Sequence, residues 1–203
     1  MGVKERRERE EKARLASIIM AAENVFAEKG YYQARMDDIA EAAELAKGTL
    51  YYYFKSKDEI YLHLLERETR KVEEEIQSRI SERSSFLEAL EQTIGFYLEY
   101  FEKNRGFLKM FLPCMCGFVR FGGEASLRKS RRSYDSHGGF IREILKKKIS
   151  EERLPFDLDE LLKFIKTLQI GIGIKLLEGH KAEAKTAAHF FIGLIKHVME
   201  DAR

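Results

Sequence analysis

The sequence predicts an all-α protein, with a small three-helix head containing a helix-turn-helix and a larger helical body behind it. Three observations predict this. Pro occurs only twice in 203 residues, at Pro113 and Pro155, so little interrupts a helix. Ala, Glu, Lys, Arg and Leu are abundant and Asn-Gly or Asp-Gly punctuation is almost missing. Apolar residues recur every three or four positions, and no run alternates with period two.

The elements follow in order. Leu15, Ile18, Ile19, Ala22, Val25 and Phe26 set the first stripe, and Gly30 is placed to stop it. Met36, Ile39, Ala40 and Ala43 predict a helix of about two turns. A break at Glu44-Leu45-Ala46 precedes a second short helix, Lys47 to Phe54. Helices this short need a neighbour to pack on, and Leu15 to Ala27 supplies one. Beyond Ser56 the periods lengthen. Tyr61, Leu65, Val72, Ile76 and Ile80 trace one stripe. Phe86 or Leu87, with Leu90, Ile94, Tyr97, Leu98 and Phe101, traces the next. Phe107 to Phe118 is apolar nearly all round. Residues 120 to 139 are thin in hydrophobics and carry two Gly-Gly pairs, and they are read as helix. Ile141 to Ile149, Leu158 to Leu176 and Ala187 to Val198 complete the pattern. The expected division is a head over residues 1–57 and a body over 58–203.

Composition excludes several classes. Two cysteines cannot build a disulfide framework, which favours an intracellular chain. The N-terminus is charged, without the apolar core of a signal peptide. The longest uncharged apolar-rich stretch, Met110 to Val119, is half of the roughly 20 residues a membrane span needs. A soluble, cytoplasmic protein is expected. Cys114 and Cys116, one residue apart, point to different helix faces with no His at ligand spacing; buried small hydrophobes is the default, and no metal is expected. His63, His137, His180, His189 and His197 are scattered. No nucleophile–base–orienter set or phosphate-cradling glycine loop accompanies them, so neither an enzyme nor a cofactor is expected.

Net charge is +2, so any nucleic-acid signal must be local. It is local between Leu45 and Lys57, where three Lys meet no acid. On a helix starting at Lys47, Leu50 and Phe54 face inward while Thr49, Tyr52 and Tyr53 face outward with Lys47. Phenols beside hydroxyl and ammonium groups suit phosphate oxygens and thymine methyls. Gly48 would let a partner approach the backbone. A solvated Lys-Tyr face is the other reading of the same composition. Two short helices about three residues apart, packed on a third, favour a helix-turn-helix.

The run Val25-Phe26-Ala27-Glu28-Lys29-Gly30-Tyr31, then Met36 to Ala43, then Lys47 to Lys57 closely resembles the N-terminal domain of TetR-family transcriptional regulators, over roughly residues 15 to 65. The resemblance implies a three-helix DNA-binding head, an all-α effector-binding body and a homodimer. It implies DNA contacts from Lys47, Gly48, Thr49, Tyr51, Tyr52, Tyr53 and Lys57, the last on a phosphate at the start of the fourth helix. Three positions depart from the family pattern. Glu44 stands where the turn usually has Gly, so a left-handed conformation there would cost about 1 kcal/mol. Ala46 forgoes a helix cap worth about 1 kcal/mol. Arg35 replaces the Thr or Ser that opens the second helix, losing a cap but setting a cation where phosphate would pass; an exposed Arg is the alternative. Residues 1 to 14 carry six Lys or Arg against four Glu, either an extension reaching DNA or a solvated helix start.

In the body, Tyr97, Phe101, Phe107, Met110, Phe111, Cys114, Met115 and Phe118 are either core or the walls of an apolar effector cavity. A fatty acid, an acyl thioester or a hydrophobic drug would suit such a cavity. Arg128, Lys129, Arg131 and Arg132 would meet an anionic head group, or else form a solvated face. By resemblance, Leu168, Ile172, Phe191, Leu194, Ile195 and Val198 lie in a dimer interface; a monomer core is the alternative. The function expected is a dimeric, ligand-released repressor on a pseudo-palindromic operator. Its rival is a helical ligand-binding protein that has lost DNA binding.

Overall fold

The computed structural model describes residues 2–122 and 139–201. Arg128, Lys129, Arg131, Arg132 and most of the stretch 120–139 expected as helix lie outside them. The described residues form helices and no strand. In chain order these are α1 (Val3–Gln33), α2 (Met36–Ala42), α3 (Lys47–Tyr53), α4 (Lys57–Arg79), α5 (Phe86–Lys103), α6 (Arg105–Met115), α7 (Gly139–Glu152), α8 (Leu158–Leu177) and α9 (Lys181–Asp201). Among the described residues no helix is long and apolar enough to cross a membrane. The chain divides into two compact units, Met1–Arg67 with Lys109–Ser130, and Glu68–Leu108 with Arg131–Arg203. Helices α4 and α6 each begin in one unit and end in the other.

The first unit is built on the stripe of α1. Ile18, Ala22 and Phe26 are buried, as are Ile39 and Ala40 of α2, Leu50 of α3, Phe54, and Ile60 and Tyr61 of α4. The rings of Phe26 and Tyr61 meet edge to face at 4.9 Å, and the Arg67 guanidinium pairs with the Glu23 carboxylate at 2.8 Å. Residues 4–14 of α1 are exposed on every side. The predicted stop at Gly30 falls inside α1, which is interrupted there with φ 72° and ψ 168°. That region of backbone space is open essentially to glycine alone.

A segment far along the chain completes this unit. Residues 116–122 run from the end of α6 across the exit of α1. The Tyr32 hydroxyl donates to the Phe118 carbonyl at 2.7 Å and accepts from the Arg120 N–H at 3.0 Å. The buried Asp58 carboxylate accepts from the Tyr31 hydroxyl at 2.6 Å and from the Gly122 N–H at 2.7 Å. Phe121 packs edge-on against Tyr31 at 5.4 Å.

The second unit centres on α5, which packs against α7, α8 and α9. Ser85 opens it with a capping box: its hydroxyl accepts from the Glu88 N–H at 3.3 Å and its own N–H donates to the Glu88 carboxylate at 2.7 Å. Of the two alternatives at its first turn, Phe86 is the buried one. Asp157 caps α8 by accepting from the Glu160 N–H at 2.9 Å.

Gly30→Ala is expected to cost the first unit about 1–3 kcal/mol through backbone strain, since a Cβ there meets nothing within 4 Å. Chemical denaturation followed by circular dichroism measures it, and an unchanged midpoint would contradict the assignment.

Candidate nucleic-acid interface

The geometry of α3 follows from its length. With seven residues it offers one inward position, Leu50, which is fully buried, and the Phe54 that ends it is buried too. The remaining positions face out or lie at the margin. Tyr52 is 72% exposed and Tyr51 44%, while Thr49 and Tyr53 are half-buried. The rings of Tyr52 and Tyr53 meet edge to face at 5.3 Å. A Cβ built at Gly48 meets nothing within 4 Å, so the backbone there is open to an approaching partner.

Both departures at the turn take the forms the sequence predicts. Glu44 has φ 54° and closes α2 as a Schellman motif, with the Leu45 N–H on the Ala40 carbonyl at 2.9 Å and the Glu44 N–H on the Glu41 carbonyl at 3.0 Å. Ala46 makes no side-chain cap. The missing cap at Arg35 is compensated from within α2. The Asp38 carboxylate accepts from the Arg35 N–H at 2.8 Å and pairs with Lys29 at 2.9 Å. The Lys29 ammonium, and after it the Arg35 N–H, hold the Asp38 carboxyl below its ordinary range. This support was legible, since a carboxylate three residues past a helix start is half of a capping box, but the sequence reading missed it.

The three lysines of the basic stretch all have partners. Lys47 pairs with Asp37 of α2 at 2.6 Å, and this bond, with the Asp37 charge behind it, raises the ammonium above its ordinary range. The pair is exposed on both sides and therefore weak. The Lys55 ammonium donates to the Tyr51 carbonyl at 2.9 Å. Lys57 is half-buried and donates to the carbonyls of Tyr31 at 2.8 Å, Tyr32 at 3.2 Å and Ala34 at 3.1 Å. Its ammonium also lies 4.6 Å from the Tyr31 ring centroid. The Arg35 side chain, by contrast, is exposed and has no ion pair among the described residues. Lys47, Gly48, Thr49, Tyr51 and Tyr52 thus share one short helix, and Arg35 lies at the start of α2.

Residues 18–64 match the family described as "Bacterial regulatory proteins, tetR family". The chain thus carries a TetR-family N-terminal domain. The fatty acid metabolism regulator protein of Bacillus subtilis is 34% identical over 87 residues, which is 43% of this chain and 45% of that protein. The transcriptional activator FasR of Mycolicibacterium smegmatis is 44% identical over 54 residues, 27% of this chain and 25% of that one. The chain thus spans less than half the length of these curated relatives. The solved structure of the regulator FadR from Bacillus subtilis in complex with stearoyl-CoA has a TM-score of 0.74 at 20% identity, covering 88% of this chain and 97% of that one. The fatty acid degradation regulator FadR from Bacillus halodurans has the same TM-score and identity, with 88% and 98% covered. These likenesses establish the fold of the chain.

The expected cavity residues have different surroundings. Tyr97, Phe101, Phe107, Met110, Phe111 and Met115 are buried and Cys114 is half-buried. Burial drives the Tyr97 phenol well above its ordinary range, while its hydrogen bond with Gln169 opposes this. Phe118 is 71% exposed, so it is not part of a closed apolar wall; the turn at Gly117, φ 73°, carries the chain out of α6 just before it. Within the second unit a groove of about 460 Å³ lies between α4 and α5, lined by Lys71, Glu74, Glu75, Ser78, Arg79, Phe96, Glu99, Tyr100 and Lys103. Arg79 already covers the Phe96 ring at 4.7 Å and bonds Glu99 at 3.3 Å. Equal numbers of cations and carboxylates line this groove, and none of the expected cavity residues does. Among the described residues no cluster of His, Cys, Asp and Glu could hold a metal ion.

Glu44→Gly is expected to stabilise the first unit by about 1 kcal/mol, because it removes the left-handed penalty of a side chain. A urea titration measures the gain; a loss of stability would mean that the Glu44 side chain has a favourable role.

Proposed function

We propose that this chain is a DNA-binding transcriptional repressor that acts as a dimer and is released by an apolar effector. Each head would lay α3 into a major groove, and the two would read successive grooves of a pseudo-palindrome about 34 Å apart. The observation that carries this reading is the surface of α3, where exposed phenols of Tyr51 and Tyr52 stand beside Thr49, Lys47 and an uncovered Gly48 backbone. Exposed tyrosines of this kind give a protein's own core nothing, whereas a base edge and a phosphate use both ends of each ring. Lys47 is available because its exposed pair with Asp37 is weak. Arg35 would meet a phosphate. Such a role belongs to the cytoplasm and requires no catalysis.

The named relatives support an acyl-thioester effector over a drug: one is a fatty acid metabolism regulator and another was solved with stearoyl-CoA. The buried aromatic side chains Tyr97, Phe101 and Phe107 of the second unit would supply the apolar contacts. To lower DNA occupancy a hundredfold the effector must favour the non-binding conformer by about 2.7 kcal/mol. Burying one or two more apolar side chains' worth of surface reaches that value.

An electrophoretic shift with genomic fragments selected by the protein tests the reading. Wild-type binding is expected to fall steeply with salt, Tyr52→Ala to weaken binding about tenfold or more, equivalent to about 1.4 kcal/mol, and a long-chain acyl-CoA to release the complex. Failure to select any fragment would leave the rival reading, a ligand-binding protein without DNA activity.

Dimerisation would use a different part of the predicted stripes. Ile172 and Ile195 are buried, and Leu168 and Phe191 half-buried, within the chain's own helices. The exposed large hydrophobics of α8 and α9 are Phe164, Ile174, Phe190, Leu194 and Val198, with Phe190 at 74%. Leu194 and Val198 therefore remain candidates, joined by Phe164, Ile174 and Phe190. Covering them with a second copy would remove an apolar surface that water disfavours by about 1.5–3 kcal/mol per fully buried side chain. Phe190→Glu combined with Leu194→Glu is expected to yield a folded monomer by light scattering; an intact dimer would reject this interface.

A further inference from the structure

The sequence expectation for Cys114 and Cys116 is a pair of buried small hydrophobes on one helix. The structure departs from it twice. Helix α6 ends at Met115, so Cys116 stands in the turn beyond it. Both residues are half-buried rather than buried. The turn is a Schellman motif: the Gly117 N–H donates to the Cys114 carbonyl at 3.0 Å and the Phe118 N–H to the Pro113 carbonyl at 2.9 Å, with Gly117 left-handed at φ 73°. The Cys116 N–H keeps helical register by donating to the Leu112 carbonyl at 3.0 Å. Pro113 lies inside α6 and has no N–H, so the last turn of the helix lacks one of its own bonds.

This turn leads directly into the segment that closes the exit of α1. The Phe118 carbonyl accepts from the Tyr32 hydroxyl, the Arg120 N–H donates to that same hydroxyl, and the Gly122 N–H donates to the buried Asp58 carboxylate. On the other side of the cysteines, the Tyr61 hydroxyl donates to the Met110 carbonyl at 2.5 Å and anchors α6. A distortion at residues 114–116 is therefore held upstream and passes downstream, to residues 118–122.

We propose that Cys114 and Cys116 form a dithiol oxidation site, whose disulfide loosens this segment and thereby weakens DNA binding. The effect on DNA rests on the proposed function; the oxidation site does not. One thiolate attacks hydrogen peroxide, breaking the O–O bond; its sulfur becomes a sulfenic acid and the other oxygen leaves as water. The second thiol attacks that sulfur, forming the S–S bond and expelling the sulfenic oxygen as water. The two sulfurs give up two electrons in all, and peroxide is reduced to two waters. An S–S bond needs the Cβ atoms about 3.5–4.5 Å apart, whereas side chains two apart on a helix diverge by about 200°. Closure therefore turns the backbone at Met115 and Cys116 out of helical register and gives up the bonds of the Cys116, Gly117 and Phe118 N–H groups. Residues 118–122 then leave Tyr32 and Asp58, and the turn leading to Arg35 and α2 loses its closure. A disulfide formed at that cost is readily reduced by a dithiol, so the change is reversible.

The test uses the full-length protein, reduced or treated with hydrogen peroxide. Trypsin leaves both cysteines in one peptide, residues 110–120. In the wild type this peptide is expected to lose two hydrogens on oxidation and to regain them with dithiothreitol. Hydrogen exchange at the Arg120 and Gly122 amides is expected to quicken about tenfold or more in the oxidised form. Affinity for a DNA fragment that the reduced protein selects is expected to fall about tenfold or more, as the bonds of this segment are lost. Cys116→Ser and Cys114→Ser are each expected to keep the reduced wild type's exchange and affinity before and after peroxide, which removes methionine oxidation as the cause. The proposal is overturned if the peptide only gains oxygen, if the disulfide joins two chains on a non-reducing gel, or if the serine variants respond as the wild type does. It is overturned equally if the disulfide forms while exchange at the two amides, or affinity for DNA, stays unchanged. A reduced wild type that selects no DNA rejects the proposed function instead, and peptide mass with amide exchange then decides the oxidation site alone.

Discussion

A helix of seven residues does not persist in water by itself, and the head depends on two of them. The cost of nucleating each helix must be met by burying its few apolar side chains against something already rigid. For α2 and α3 these are Ile39, Ala40 and Leu50, none more than 2% exposed; α2 packs on α1, whose Ile18, Ala22 and Phe26 are buried, and α3 packs on α2. Nearly every other feature of the first unit secures that arrangement at an edge. Asp38 compensates the missing cap at Arg35, the Schellman turn accommodates Glu44, and Lys57 and Asp58 hold the exit of α1 against the start of α4. The outward positions of α3 are free to be chosen for a partner because the inward ones already account for its stability.

The electrostatics of this surface are less simple than its composition. Three lysines without an acid nearby in sequence suggest a naked positive patch, yet folding brings each to an oxygen. Lys47 meets a carboxylate in the open, Lys55 a carbonyl on its own turn, and Lys57 three carbonyls under a ring. These environments are graded in how easily a phosphate can compete with them. An exposed pair exchanges readily with other ions, whereas an ammonium with its donors filled loses several bonds at once if it leaves.

Periodicity made most of the fold legible. Most residues of the stripes of α1, α4 and α5 are buried where spacing placed them, with Leu15, Ile80 and Leu98 only half-buried; the break at Glu44 showed as a gap in the pattern, and its left-handed backbone followed from the family resemblance, in which Gly usually stands there. What spacing could not show was pairing across long separations. Tyr31 meets Asp58 and Asp58 meets Gly122 through a carboxylate that carries no periodic signature. Nor could it tell which half of a broad apolar stripe points inward. Ile172 and Leu194 belong to equally apolar faces, and only the packing of α8 and α9 on α5 buries the first and leaves the second exposed. Phe118 read as part of an apolar run because nothing in its neighbours announces that the chain turns outward at Gly117.

The bonds from residues 116–122 to Tyr32 and Asp58 bear on how this protein could be taken apart or recombined. A fragment cut after α4 would carry the complete recognition motif, yet it would lack the two N–H donors and the Phe121 ring that close the exit of α1. Exchanging the motif with that of a relative would leave the same contacts mismatched unless the distant segment travelled with it. Selection on this chain therefore acts jointly on two stretches of sequence some sixty residues apart, and a change in either constrains what the other can become.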